Sequence, residues 1–391
     1  MLPFEQAAKT VLSSARQLGT ERVDIGCVAG RILAEDVKSD MDIPPFDKSA
    51  MDGFACRRED LANELAIIET IPAGVVPGKT IGPNQCAKIM TGSMVPQGAN
   101  CIIMVEFTEK AGEDKIRFTG EKTADNICVR GEDIKAGQVV LCKGVRIKPQ
   151  HIAALASVGC ANPLIAIMPK VGIVATGNEL VAPAQKPKVS QIRNSNSSQL
   201  CAQAELLRAI VRNYGIVADT ETAIDSVLKK AIEENDVIIF SGGVSMGDYD
   251  FVPGIFKQNN INILFEKIAI KPGKPTVFGT SGKKYCFGLP GNPVSTFVLF
   301  ELLVKPFLYK LMGHDYEPLN IQMPLGVPLI SKKAKRQRWL PVAITDKGTA
   351  KPVEYHGSAH INSLCGANGL VSMDIGVSKI EKGTAVAIRL I

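Results

Sequence analysis

The stretch "DVIIFSGGVSMGDYDF", residues 236–251, decides the architecture. Val237, Ile238, Ile239 and Phe240 form an unbroken apolar run bounded by a glycine turn, the pattern of a strand covered on both faces. After it the chain passes through Ser241, Gly242, Gly243 and Ser245. Glycines there let backbone N–H groups approach an anion closely, as phosphate loops do, although a plain tight turn would use the same residues. Asp248 and Asp250 follow, and carboxylates beside an anion-binding turn suggest a hard cation such as Mg2+ bridging the two.

Working outward, "KVGIVATG" (170–177) is a second run of the same type. Between and beyond these runs, "SSQLCAQAELLRAIVRNYG" (197–215), "AIDSVLKKAIEEN" (223–235) and "PVSTFVLFELLVKPFLYKLMG" (293–313) read as helices. This alternation predicts an α/β domain with a doubly wound, mostly parallel sheet over about 169–315. In such sheets ligands bind beyond the carboxyl ends of the strands. That singles out "TGNEL" (176–180), "SGGVSMGDYDF" (241–251), "KPGKP" (271–275) and "GLPGNP" (288–293), all expected at one edge. Each also has an ordinary reading. Glu179 is explained as a first-turn helix acid, and Pro290 and Pro293 as a rigid connection into a helix. Lys271 and Lys274 are the harder case, because Pro272, Gly273 and Pro275 fix both in a stiff turn rather than scattering them over a solvated face.

The flanks differ in character. Residues 4–18 carry Phe4, Ala7, Ala8, Val11, Leu12 and Ala15 at helical spacing, with Gly19 as a stop. From about 65 to 145 short β-type runs are cut by Gly, Pro and Asn. Pro149 opens a short helix, and 320–391 returns to β runs resembling a small barrel or sandwich. The chain has 391 residues, is 46% hydrophobic and 21% charged, and carries a net charge of +6 without a long block of one sign. Nucleic-acid binding gets little support from this. Ten cysteines without a CxxC pair fit reduced thiols better than a disulfide framework or a zinc site, and a cytoplasmic location is expected. No stretch approaches the ~20 apolar residues of a membrane span. "GVVPGKT" (74–80) imitates a phosphate loop but has its first Gly one position late and no helix after it. In "HGSAH" (356–360), Gly357 and Ser358 argue against a helix presenting both histidines to zinc.

Taken together, "PPFDKSAMDGFA" (44–55), "IMTGSMVPQGANCIIMVE" (89–106), "GEDI" (131–134), "ATGNEL", "SGGVSMGDYDF", "IKPGKP", "GLPGNPVS" and "HGSAHINSL" (356–364) resemble, in order and over essentially the whole chain, the MoeA-type molybdopterin molybdenumtransferases, whose relatives include the E domain of gephyrin. The resemblance implies a linking region with an inserted β-rich domain (1–168, insert about 45–145), a central molybdopterin-binding α/β domain (169–315) and a C-terminal β-barrel (320–391). It implies a homodimer in which the "MDG" segment of one copy approaches the central domain of the other. The reaction it implies takes adenylylated molybdopterin and molybdate, inserts the metal and releases AMP with Mg2+ or a similar ion.

Carried over by the same resemblance, Asp52, Glu179, Asp219 and Asp250 are the catalytic carboxylates, with Glu179 and Asp250 as metal partners. Thr91, Asp133, Ser241, Gly242, Gly243, Ser245, Lys267, Lys271, Lys274, Pro290 and Pro293 are the substrate-binding set, and Arg338 and Ser358 a pair linked to molybdate. Relatives often place an arginine two residues earlier than Arg130, which leaves its role open. Thr220 and Lys48 are further departures outside the core set. The rivals are a molybdopterin adenylyltransferase, which lacks the flanking domains, a gephyrin-like scaffold, and a nicotinamide-nucleotide protein sharing only the central fold. An adenylyltransferase is also a natural partner, as the source of the substrate.

Overall fold

The computed structural model describes residues 1–245, 250–331, 334–353, 357 and 360–391. Its centre is set by the two apolar runs. Lys170–Thr176 and Val237–Ser241 lie side by side in parallel, Val171 opposite Val237 and Ala175 opposite Ser241. They belong to a six-stranded sheet in the order Ile210–Val217, Lys170–Thr176, Val237–Ser241, Lys284–Leu289, Val277–Ser281, Asn262–Phe265. The first three ladders are parallel and the last two antiparallel.

Two cores explain why the runs are unbroken. Val171, Ile173, Val237 and Ile239 pack with Leu200, Ala204, Val294, Val298 and Phe307 on one face. Val174, Ile238 and Phe240 pack with Ile224, Leu228, Ala231, Val252 and Phe256 on the other. Successive strand residues point to opposite faces, so a strand between two helical layers has to be apolar at every position. From Lys170–Thr176 the chain first crosses to Ile210–Val217 on one side, then to Val237–Ser241 on the other. The strand order therefore reverses between Thr176 and Ser241, where a crevice opens.

The 197–215 segment is not one helix. The helix is Asn196–Glu205, and Ile210–Val217 is the border strand. Arg208 at φ +64° breaks the helix, and the β-branched Ile210, Val211, Ile216 and Val217 then pair with Lys170–Thr176. The expected 4–18 helix likewise ends at Ser14; its Phe4, Ala7 and Val11 pack into the central core.

The N-terminal insert is a six-stranded mixed sheet in the order Cys101–Met104, Gly53–Cys56, Gln85–Ile89, Glu64–Ile71, Lys115–Phe118, Thr108–Lys110. The "GVVPGKT" loop runs between two of these strands, and its Gly78 and Lys79 N–H groups already donate to the Glu69 carboxylate at 2.9 and 3.1 Å. All ten cysteines are free thiols. The C-terminal sheet orders Gln337–Ile344, Gly369–Met373, Ala385–Leu390 and Asn320–Pro324, and its outermost strand, Ile270–Lys271, is donated by the central domain. Among the described residues no helix is long and apolar enough to cross a membrane.

Candidate active site

Where the strand order reverses, a cavity of about 650 Å3 is lined by the residues after three strands: Thr176 to Leu180, Ser241 to Gly243 with Asp250, and Gly291 to Pro293. The strand ends approach as closely as glycine allows. A Cβ on Gly242 (φ +99°) would lie 2.4 Å from the Thr176 carbonyl oxygen, and one on Gly243 (φ +65°) 2.9 Å from Thr176 Oγ1. A side chain at either position would be strained by its backbone conformation as well.

Asn196, a residue the sequence reading passed over, ties two of these loops together. Its Nδ2 donates to Ser241 Oγ and to the Gly291 carbonyl, both at 2.8 Å. Because that carbonyl can only accept, the amide nitrogen has to face it. The only sequence signal was the polar cluster "RNSNSS" ahead of the helix, which reads equally as a capping run.

Three carboxylates line the same cavity. Asp219 Oδ2 accepts from the Asn178 N–H at 3.1 Å, and Asn178 Oδ1 accepts from the Asp219 N–H at 3.2 Å. That reciprocal pair locks the "TGNEL" loop to the end of the border strand. The other Asp219 oxygen is buried without a hydrogen-bond partner, as is Thr176 Oγ1. Glu179 and Asp250 line the same cavity. The exposed Glu179, the half-buried Asp250 and an unsatisfied buried oxygen in one cavity are hard donors of the kind Mg2+ takes. Among the described residues, no three His, Cys, Asp or Glu side chains are placed to hold an ion by themselves. A cation here would be shared between one or two carboxylates and the phosphates of a substrate, the usual arrangement for Mg2+.

"KPGKP" lies at the same end of the sheet, because Asn262–Phe265 runs parallel to Val237–Ser241 through two antiparallel steps. It does not join the first cavity, as the sequence suggested. Lys271 and Lys274 line a separate cavity of about 520 Å3 with Ser331, Lys335, Arg336 and Arg338. The displacement has a backbone cause: Ile270–Lys271 is hydrogen-bonded into the C-terminal sheet, with Lys271 opposite Arg338. Arg338 donates to the Ile330 carbonyl at 2.6 Å, and its Nε is buried without a partner. Lys335 and Arg336 come from the basic stretch "KKAKRQR" (332–338), which carries no motif of its own. No Asp or Glu is among the described residues of this lining.

Asp52 and Thr91 meet each other and neither cavity. The Thr91 N–H and hydroxyl both donate to Asp52 Oδ1, at 2.6 and 2.8 Å. The N–H bond first and the hydroxyl second hold the Asp52 carboxyl below the usual aspartate range. Asp133 is exposed and, like Lys267, lines neither cavity. Lys267 is half-buried, and its carbonyl accepts from the Leu2 N–H at 3.1 Å. Ser245 is exposed beside the glycine turn, while Pro290 is buried behind Gly291, its carbonyl accepting from Thr296 Oγ1 at 2.6 Å. Asp248, Ser358 and the first histidine of "HGSAH" lie outside the described residues. Arg130, whose role the sequence left open, donates from Nε to Asp42 at 2.7 Å, which with the Ala136 N–H depresses the Asp42 carboxyl.

The chain is similar to known proteins along its whole length. Residues 2–159 match the family model of the MoeA N-terminal region (domains I and II), 172–310 a probable molybdopterin binding domain, and 323–391 the MoeA C-terminal region (domain IV). The molybdopterin molybdenumtransferase of Bacillus subtilis is 35% identical over 404 residues, covering 100% of this chain and 94% of that protein. The protein of the same name from Staphylococcus epidermidis is 35% identical over 411 residues, covering 100% and 95%. The crystal structure of the molybdopterin biosynthesis MoeA protein from Pyrococcus horikoshii OT3 superposes with a TM-score of 0.87 at 31% identity, covering 100% of each chain.

Proposed function

We propose, from the premise that this chain belongs to the MoeA family, that it works as a molybdopterin molybdenumtransferase: it takes adenylylated molybdopterin and molybdate, places the metal on the pterin and releases AMP. The observation that carries this reading is the pairing, at one end of one sheet, of an acid-walled cavity and an all-cationic one. A free adenylyltransferase has no need of the flanking N- and C-terminal regions that this chain carries and that match the MoeA models.

The division of labour follows from the side chains. The Gly242 N–H already donates to the Leu289 carbonyl at 3.0 Å, so the Gly243 N–H and the N–H groups of the Gly291 turn, whose loops Asn196 holds together, receive the pyrophosphate. Glu179 and Asp250, with the buried oxygen of Asp219 beside them, would hold Mg2+ against it. When bound there, the ion neutralises phosphate charge and favours departure of AMP. Lys271, Lys274 and Arg338 hold the tetrahedral dianion molybdate in the second cavity by charge-assisted hydrogen bonds. Asp52 and Thr91 line neither cavity of their own chain, which supports a homodimer in which they complete the site of a second copy. Reduced thiols and the absence of a long apolar helix among the described residues suit a cytoplasmic enzyme that receives its substrate from an adenylyltransferase.

The test is direct. The protein is mixed with adenylylated molybdopterin, Mg2+ and molybdate, and AMP release is followed together with formation of active cofactor. AMP release coupled to cofactor formation is expected. A protein that leaves the substrate intact refutes the reading.

A further inference from the structure

Arg193 is the one cation among the described residues that line the acid-walled cavity. Backbone pairing fixes its place. Leu180–Val181 and Ile192–Arg193 form a two-stranded parallel ladder with Val181 opposite Arg193, and the Ile192 N–H donates to the Glu179 carbonyl at 2.8 Å. The arginine is thus held in register with the segment that carries Glu179. Its Nε donates to the Gln185 carbonyl at 3.1 Å, and among the described residues no carboxylate pairs with it.

A guanidinium lining the same cavity as Glu179, Asp219 and Asp250 would be drawn towards them. Here its Nε is committed to a backbone carbonyl and its terminal N–H groups are left for something else. Those groups form a planar fork that matches two oxygens of a phosphate, which an ammonium cannot do. The ten-residue helix Asn196–Glu205 begins three residues later, and its first residue lines the same cavity, adding the positive end of a helix dipole. The carboxylates of this cavity would repel a polyphosphate unless cations intervene, and the chain supplies one here.

We propose that Arg193 binds the phosphoanhydride of the substrate, a diphosphate diester, and sets the enzyme's selectivity for pyrophosphate-bearing pterins over the monophosphate. The identity of the diester rests on the reading above; the anion site does not.

Inorganic pyrophosphate with Mg2+ is titrated calorimetrically into wild type, Arg193→Ala and Arg193→Lys at two salt concentrations, and AMP release from adenylylated molybdopterin is measured on the same proteins. Arg193 is exposed, so folding is not at risk, and equal melting of the three proteins confirms it. Removing a charge-assisted pair should weaken pyrophosphate about tenfold to a hundredfold in the alanine variant, with lysine restoring only part because the fork is lost. KM should rise by a similar factor and kcat change less. Wild type that fails to bind pyrophosphate, or an alanine variant that binds it equally, overturns the inference. AMP release with an unchanged KM in Arg193→Ala overturns it while the functional reading stands. Arginine-dependent pyrophosphate binding without AMP release sinks the functional reading and keeps the anion site.

Discussion

Replacing Gly242 by alanine tests whether the glycine turn is there for close approach. At φ +99° a residue with a side chain pays about 1–3 kcal/mol in backbone strain. Its Cβ would also stand 2.4 Å from the Thr176 carbonyl oxygen, and since both partners are backbone, no rotamer change relieves the overlap. The turn has to swing away from Thr176, which strains the Gly242 N–H bond to the Leu289 carbonyl and shifts the Gly243 N–H relative to the Gly291 turn. If the whole strain, on the order of 3 kcal/mol, appears as lost binding, affinity for Mg2+-pyrophosphate falls roughly a hundredfold. Gly254→Ala is the control. It sits in the helix Val252–Gln258 with nothing within 4 Å of the new methyl, and should be neutral or stabilise by about 0.5–1 kcal/mol. Binding is measured by calorimetry and stability by melting. A Gly242→Ala protein that binds within about threefold of wild type refutes the argument, because the turn would then tolerate a side chain that the geometry forbids.

Three further outcomes are expected. Because Asp52 is depressed, the contribution of its bonds to Thr91 is fully present above the ordinary aspartate pKa of about 3.9 and is lost only as pH falls through the lower folded value, so it is constant across the neutral range. Thr91→Val removes the hydroxyl and leaves the N–H, so the Asp52 carboxyl should titrate higher than in wild type by NMR yet stay below the ordinary value; an unshifted titration would show that the hydroxyl does nothing. Lys271→Ala and Lys274→Ala should each raise half-saturation by molybdate about tenfold to a hundredfold, and unchanged half-saturation in folded variants would return both lysines to plain surface charge. Mixing Asp52→Ala with Asp250→Ala chains should recover up to about half of one site's activity if the two residues act across a dimer; heterodimers as inactive as either parent would place Asp52 in no shared site.

The sheet was legible because burial on both faces leaves an unmistakable mark: Val237 to Phe240 cannot be anything that alternates. The border strand Ile210–Val217 was not, because it pairs on one side only and every one of its residues is exposed or half-buried. A polar, half-exposed strand directly after a helix without an intervening glycine or proline leaves the helical period to run on through it. Arg208, in a left-handed conformation that glycine usually takes, supplied the break without announcing it. The carboxylate loops could be found from the rule that ligands sit past strand ends. What could not be found was which loop shares a cavity with which. That depends on Ile270–Lys271 leaving its own sheet for another, a two-residue excursion with no pattern of its own.

That excursion explains how cations can be gathered in one place. Lys271, Lys274, Lys335, Arg336 and Arg338 share a cavity with no acid among its described lining residues, and like charges so placed repel. Among the described residues, the main chain ties the two halves of the cluster together. Ile270 pairs with Gln337 and Lys271 with Arg338 in a parallel ladder, the Gln337 N–H donates to the Ala269 carbonyl at 2.9 Å, and Arg336 donates to the Ile270 carbonyl at 3.3 Å. Lys271 and Lys274 come from the central domain and Lys335, Arg336 and Arg338 from the C-terminal one, so neither domain alone presents the set. Repulsion is therefore held in check by the ladder between domains, and an arriving dianion relieves it. Much of the ordering such an anion would otherwise have to impose has already been done by the fold, which is why the two stiff prolines beside Lys271 and Lys274 belong to the site as much as the charges do.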